Sequence, residues 1–277
     1  MTKQLIFLFA CATLLFTACN KDEAAQELTN TTTSEDLLRT EAYLDEVEYQ
    51  IDLKIEEKAL PEIAGKYDQS KNNDCITISF ANPPQTYPNV VTVTFDENGC
   101  TLPSGNTLAG TATVVYTGQP GVPGFSRTIT LSDFTYNGRG LEGTKNWTYN
   151  GMDEDGNRSY TRTVQDAQIT YLNGDVATWS TQRTWIQLDG ADTDTFIDDI
   201  VAVTGGSTGV NRFGVSYTTV ILDPIIKERN CPWNISGRKS ITRNNVTRFI
   251  DYGNGICDPL AILADGNGNF IEITLNP

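Results

Sequence analysis

The chain has 277 residues, with 20 Lys and Arg, 35 Asp and Glu, six Cys and no His, which gives a formal charge of -15. Without histidine, catalysis by an imidazole base and zinc sites with His ligands are excluded. The acidic balance also argues against nucleic acid as a partner, because binding a polyphosphate requires clustered Lys and Arg. An apolar content of 39% fits one large globular domain.

The N-terminus has the pattern of an export signal. Residues 1–18 place one positive charge, Lys3, before an apolar run that is too short to cross a bilayer as a helix. The run ends in Leu15-Phe16-Thr17-Ala18-Cys19, which resembles the lipobox of bacterial lipoproteins. The resemblance implies that Cys19 is acylated and that the lipid attaches the mature chain to a membrane, which the chain does not span. The alternative is an ordinary secretory signal with a chance Cys.

The residues after Cys19 favour an outer-membrane location. Asn20-Lys21-Asp22-Glu23 resembles the charged export signal that surface lipoproteins of the Bacteroidota carry beside their lipidated Cys. We therefore expect a lipid-anchored protein of the outer membrane that faces outward. Residues 19–33 are polar and cannot bury enough apolar area to offset the entropy of ordering, so they are predicted to form a flexible tether.

Residues 34–60 are predicted to form an amphipathic helix. Ser34 suits the N-cap, and acidic residues follow it in the first turn. Apolar residues then recur at helical spacing: Leu37, Leu44, Val47, Ile51 and Ile55. This stripe could dock on the rest of the protein, form a coiled-coil seam or bind a periplasmic partner. The short heptad pattern favours docking.

Residues 67–277 are predicted to form an all-β domain. Short alternating runs rich in Thr, Val, Ile, Tyr and Trp are separated by Asn-Gly, Asp-Gly and Gly-Gly pairs, which is typical of antiparallel strands joined by hairpins. In Val176–Leu188 neither face is apolar along its whole length, which favours a large curved sheet with one wet face. We expect roughly 11 to 14 strands, arranged as a sandwich or a partly open barrel. Eleven runs are clear: Cys75–Phe80, Val90–Phe95, Thr107–Thr117, Arg127–Tyr136, Leu141–Tyr149, Ser159–Leu172, Val176–Leu188, Gly214–Leu222, Arg238–Arg243, Val246–Tyr252 and Asn269–Leu275.

Four cysteines remain in the predicted mature domain: Cys75, Cys100, Cys231 and Cys257. In an exported protein such an even set predicts two disulfides, with three pairings allowed. An internal similarity selects one pairing, since 94–100 and 249–257 each lead from an apolar residue and Asp through a Gly turn to Cys. Each is preceded by another Cys at a nearly equal distance, so we predict that Cys75 pairs with Cys100 and Cys231 with Cys257. No closely spaced Cys pair is present, and we predict neither a metal site nor a cofactor.

A wider set of segments surrounds these cysteines. They are Asp74-Cys75, Val91–Phe95, Gly99-Cys100, Asp133–Asn137, Leu141–Thr144, Thr184-Trp185, Cys231–Trp233, Ser236-Gly237 and Asp251–Asp258. Their succession resembles a group of uncharacterised lipoproteins from Flavobacteria and relatives, and the resemblance covers 74–275. It supports the envelope location and the two bridges, and it implies no activity.

Two sets of side chains are candidates for a ligand site. The first is a stacking platform for sugars, although core packing is the more common role of Trp in β proteins: Trp147, Trp179, Trp185 and Trp233. The second is an acidic cluster in which a carboxylate pair could hydrolyse glycosides without histidine: Asp189, Asp192, Asp194, Asp198 and Asp199. The acidic runs 151–157 and 265–269 could bind calcium, but turns between strands explain both.

The expected function is that of a binding or structural module, and no catalytic residue is predicted. The expected partners are a membrane, through the lipid, and an envelope protein or a glycan. The alternative is a surface lipoprotein that binds or processes glycans through the Trp platform and the Asp carboxylates.

Overall fold

A computed structural model describes residues 32–59, 75–193 and 195–275. The predicted signal peptide, Cys19 and Asp194 lie outside these ranges, as does most of the predicted tether. Within them the protein forms one helix and thirteen strands, which are α1 (Thr32–Ala59), β1 (Ile76–Phe80), β2 (Asn89–Thr101), β3 (Thr107–Tyr116), β4 (Ser126–Tyr136), β5 (Arg139–Met152), β6 (Arg158–Thr170), β7 (Val176–Asp189), β8 (Ile200–Val210), β9 (Ser216–Glu228), β10 (Ser236–Arg243), β11 (Val246–Asn254), β12 (Leu260–Asp265) and β13 (Phe270–Thr274).

The strands form one antiparallel sheet whose order follows the sequence from β1 to β13. Within the described ranges β1 does not pair with β13, so the sheet stays open and a two-sheet sandwich is not formed. The predicted all-β class with an N-terminal helix is confirmed. The clear sequence runs omit β8, which contains the glycine-rich segment 205–209, and β12, which has only six residues.

Turns alternate between the two ends of this sheet, because each strand reverses the direction of the one before it. We call the lower end the one formed by residues 102–106, 137–138, 171–175, 211–215, 244–245 and 266–269. We call the upper end the one formed by residues 81–88, 117–125, 153–157, 190–193, 195–199, 229–235 and 255–259.

Bulges bend the sheet around α1. Register shifts interrupt the ladders between β3 and β4, β4 and β5, β5 and β6, β6 and β7, and β8 and β9. Gly110 has a φ of 110°, and a Cβ there would lie 2.4 Å from the carbonyl oxygen of Asp133. Gly205 has a φ of 112°, and its Cβ would lie 2.5 Å from the carbonyl oxygen of Gln182. Glycine is therefore required where the strands bend, and the bends curve the sheet.

Helix α1 packs on one face of the sheet, which we call the inner face. Leu37, Leu44, Val47 and Ile51 are buried there, so the apolar stripe docks on the body of the protein. Ser34 is not the N-cap, because it is buried inside a helix that begins two residues earlier. No helix in the described part of the chain is both long and apolar enough to cross a membrane.

Two disulfides brace the sheet, and both predicted pairings are confirmed. Cys75 is joined to Cys100 with a Cα–Cα distance of 5.4 Å, which ties the start of β1 to the end of β2. Cys231 is joined to Cys257 at 5.9 Å, which ties two turns of the upper end together. Each bridge closes a loop of about 25 residues, for which chain entropy predicts about 3.5 kcal/mol of stabilisation.

Candidate functional site

A row of carboxylates on α1 faces the inner face of the sheet. Its members are Asp36, Glu41, Asp45, Glu48 and Asp52, spaced three to five residues apart and so on one side of the helix. Ten ion pairs connect these acids to basic residues of the sheet. The bases are Arg127, Lys145, Arg162, Arg183, Arg212, Lys227, Arg229 and Lys239. We call these five acids and eight bases the ionic seam.

At the lower end, the seam begins with Asp36. Its carboxylate accepts hydrogen bonds from the Tyr171 hydroxyl at 2.7 Å and from the Arg212 backbone N–H at 2.8 Å. The Arg212 guanidinium also lies 2.5 Å from it. Burial, and then the hydrogen bond to Asp36, raise the pKa of Tyr171 to about 12. Two loops of the lower end, 171–175 and 211–215, therefore hold the start of α1.

One layer above, Glu41 pairs with two bases from β7 and β10. Arg183 donates to one carboxylate oxygen, and the Lys239 Nζ donates to the other at 2.7 Å. Lys239 is 0% exposed, and burial lowers its pKa. Burial alone would raise the pKa of Glu41, but the charges of Arg183 and Lys239 outweigh it and hold that pKa below its ordinary value.

At the centre, Asp45 and Glu48 share Lys145. The Lys145 Nζ lies 3.0 Å from Asp45 and also contacts Glu48, whereas Lys227 pairs with Asp45 and Arg162 with Glu48. Burial would raise both carboxyl pKa values. The surrounding cations outweigh it, so the pKa of Asp45 and that of Glu48 lie below their ordinary values.

Arg162 is held between two tryptophans. Its guanidinium carbon lies 4.0 Å from the ring centre of Trp147 and 3.7 Å from that of Trp185. Such desolvated cation–π contacts contribute on the order of 2 kcal/mol each. The two rings therefore serve to position a cation that pairs with Glu48.

At the upper end, Asp52 completes the seam. Arg127 donates to one of its oxygens, and Arg229 lies 3.3 Å from the other. Burial and the neighbouring charge of Glu48 raise the pKa of Asp52 above its ordinary value in spite of the two cations. All five acids of the seam thus have cationic partners, and none is left as a free base or nucleophile.

Two of the four tryptophans are buried, and the other two are partly exposed. Trp179 and Trp185 are buried on the inner face, and Trp147 is half-buried beside Arg162. Trp233 donates its Nε1–H to the carbonyl of Leu275 at 3.0 Å. Trp179 and Trp185 are therefore covered and offer no open ring face to a sugar.

The acidic cluster forms part of the turn between β7 and β8. Asp189 accepts a hydrogen bond from the Gly190 amide at 2.9 Å, and Asp198 accepts one from the Thr193 hydroxyl at 2.9 Å. Asp192 is exposed, and burial raises the pKa of Asp199 to about 6. Among the described residues, no group of three or more His, Cys, Asp or Glu could hold a metal ion.

The two acidic runs considered for calcium are hairpin turns. Asp153 accepts hydrogen bonds from the amides of Asp155 at 3.0 Å and Asn157 at 2.7 Å. Asp265 accepts equivalent bonds from Asn267 and Asn269. These carboxylates therefore stabilise the turns in which they lie.

One cavity opens beside the seam. It has a volume of about 50 Å³ and is lined by Glu41, Arg183, Lys227, Trp233 and Tyr252, among others. A volume of this size holds one or a few water molecules. Sites for small-molecule ligands are typically about 300–1,000 Å³, so this cavity is too small for a sugar.

The eight bases of the seam were not predicted from the sequence. A signal was present, because Trp179, Arg183 and Trp185 share strand parity and therefore face the same side of β7. The matching signal was the row of acids among the apolar residues of α1. As a whole, the chain matches no protein-family model, no curated protein and no solved structure.

Proposed function

We propose that this protein is a lipid-anchored module of the bacterial outer-membrane surface, with a structural or binding role, and that α1 couples its anchor to its sheet. The ionic seam is the observation that carries the proposal. Helix α1 is the element between the predicted lipidation site, Cys19, and the sheet. Ten ion pairs hold it on the inner face. A helix held in this way keeps the start of α1, and with it the attachment point of the predicted tether, at one end of the sheet.

The occupied inner face supports a structural or binding role over a catalytic one. The eight bases are paired with acids of α1, and the buried Trp rings pack beside them. A substrate would have to displace the helix to reach these groups. The alternative as a glycan-binding or glycan-processing protein has less support, because Trp179 and Trp185 are covered and Asp189 and Asp198 accept hydrogen bonds within a turn.

The two disulfides add support for an envelope location. Disulfides persist in oxidising compartments such as the periplasm and the cell surface, and they are rare in the bacterial cytosol. Both bridges join strands or turns close in sequence, and both suit a chain that folds after export.

The anchor can be tested with two cysteine variants of the full-length chain. Cys19→Ala should abolish incorporation of a palmitate label and leave the protein released or unprocessed. Cys11→Ala is the matched control, since Cys11 lies within the predicted signal peptide, and its label should be unchanged. Retained palmitate label in Cys19→Ala would contradict the proposal. Protease accessibility on intact cells would test the outward orientation.

A further inference from the structure

The two ends of the sheet carry very different charges. The turns of the lower end contain one acidic residue, Asp175, and one basic residue, Arg212. The described turns of the upper end contain one basic residue, Arg229, and seven acidic residues: Asp153, Glu154, Asp155, Asp192, Asp198, Asp199 and Asp258. An anionic surface would therefore repel the upper end much more strongly than the lower end.

Helix α1 begins at the lower end. The Thr33 hydroxyl accepts a hydrogen bond from the Asn211 side chain at 2.9 Å, and Asp36 binds Tyr171 and Arg212. Cys19 precedes Thr32 by thirteen residues. At about 3.3–3.6 Å per residue, this segment reaches at most about 43–47 Å. A lipid on Cys19 would thus keep the start of α1, at the lower end, within about 43–47 Å of the bilayer.

The turns that hold α1 also expose large apolar side chains. Leu172 is 76% exposed and Phe213 is 69% exposed, and they are the two most exposed large apolar residues in the described part of the chain. Phe270, at the lower end of β13, is also exposed. Met152 at the upper end is 61% exposed, so apolar exposure alone does not select one end. The charge difference and the start of α1 select the lower end.

We propose that the lower end of the sheet rests on the lipid bilayer, with Leu172 and Phe213 entering its interfacial region and the acidic upper end directed away. This inference rests on the proposed lipid anchor at Cys19. Anionic lipids repel an acidic end of the sheet within about 8–10 Å at physiological salt. They do not repel a nearly neutral end. Burial of two large apolar side chains then adds to the hold of the lipid.

The orientation can be tested with the full chain, purified with its acyl groups and reconstituted into vesicles of phosphatidylethanolamine and phosphatidylglycerol. A dansyl amino acid replaces Leu172 or Phe213, and the matched control replaces Met152 at the upper end. The probes at 172 and 213 should shift to shorter emission wavelengths on vesicles and be quenched by spin-labelled lipids. The probe at 152 should behave as in buffer.

A second measurement uses the unaltered sequence, so it does not depend on how a probe affects folding. Amide hydrogen exchange in 171–175 and 211–215 should be several-fold slower on vesicles than in detergent-free buffer, and exchange in 153–157 should be unchanged. If Cys19 is acylated and both measurements report water at the lower end, the orientation is wrong and the anchor stands. If mass spectrometry finds no acyl group on Cys19, the proposed function fails and this inference fails with it.

Discussion

Eight Lys and Arg side chains of the sheet and its turns are paired with one helix, whereas the described turns of the upper end present seven Asp and Glu. The charges of the seam are all paired, and several carboxylates of the upper end accept hydrogen bonds from their own turns. A chain that is acidic overall thus keeps a cationic surface inside. The net charge of a chain therefore does not indicate which of its charges are buried and which are exposed.

The two regions should also differ in how strongly they resist substitution. Removing one member of a buried ion pair leaves its partner charged in a low-dielectric interior, and this costs more than the pair itself contributes. An exposed charge exchanges its partner for water and loses little. Four predictions follow from this contrast, in order of decreasing effect.

The largest effect is expected for Glu48→Gln. The substitution keeps the shape of the side chain but leaves Arg162, Lys145 and Arg127 without the charge that they share. The free energy of unfolding should fall by about 3–5 kcal/mol, measured by denaturant titration. A loss below about 1 kcal/mol would show that the seam does not stabilise the docked helix.

Acid should lower the stability that the seam gives to the folded protein. The pKa values of Glu41, Asp45 and Glu48 are lowered in the folded state, whereas carboxyl groups of the unfolded chain have a pKa of about 4. Their stabilisation is therefore complete above about pH 5 and is lost as the pH falls through about 4 and below. The raised pKa of Asp52 acts in the opposite direction. Urea midpoints that stay constant from about pH 5 to about pH 3 would contradict this prediction.

At the upper end, Asp199→Asn should raise stability at neutral pH. Burial raises the pKa of Asp199 to about 6, so its stabilising contribution is present below about pH 4 and is lost as the pH rises through 6. The gain should stay below about 1 kcal/mol, because the group is partly exposed. The variant and the parent should have equal thermal midpoints at about pH 4. A gain of the same size at both pH values would point to a cause other than ionisation.

The smallest effect is expected for Asp223→Asn, which is also the control for Glu48→Gln. Asp223 pairs with Arg238 at 3.0 Å, and both side chains are about half exposed. Removing this pair should change the free energy of unfolding by about 0–1 kcal/mol. Equal losses in the two variants would remove the distinction between buried and exposed pairs.

Local patterns in the sequence were sufficient for several predictions. The alternating runs and Asn-Gly turns predicted antiparallel strands, and the repeated Asp-Gly-Cys segments predicted both disulfides. The polar middle of β7 predicted a large curved sheet with one wet face, and it left a sandwich and a partly open barrel as alternatives. The bulges at Gly110 and Gly205 were not predicted, because the need for glycine there comes from the backbone of the adjacent strand.

The seam could not be predicted in the same way. Its partners are far apart in the sequence, since Arg162 follows Glu48 by 114 positions and Lys239 follows Glu41 by 198 positions. Lys and Arg are also rarely buried, so their positions in strands would normally be assigned to the wet face. Only the docked helix shows that this face is the inner one.

The sequence by itself therefore determined the β class, the N-terminal helix and the cysteine pairing, since each depends on neighbours along the chain. It also contains the N-terminal pattern on which the proposed anchor rests. The tertiary structure decided which face of the sheet is buried, because that choice depends on five carboxylates of α1 meeting eight distant bases. A buried charge is stable only when its partner is already in place, and only the folded chain brings the two together.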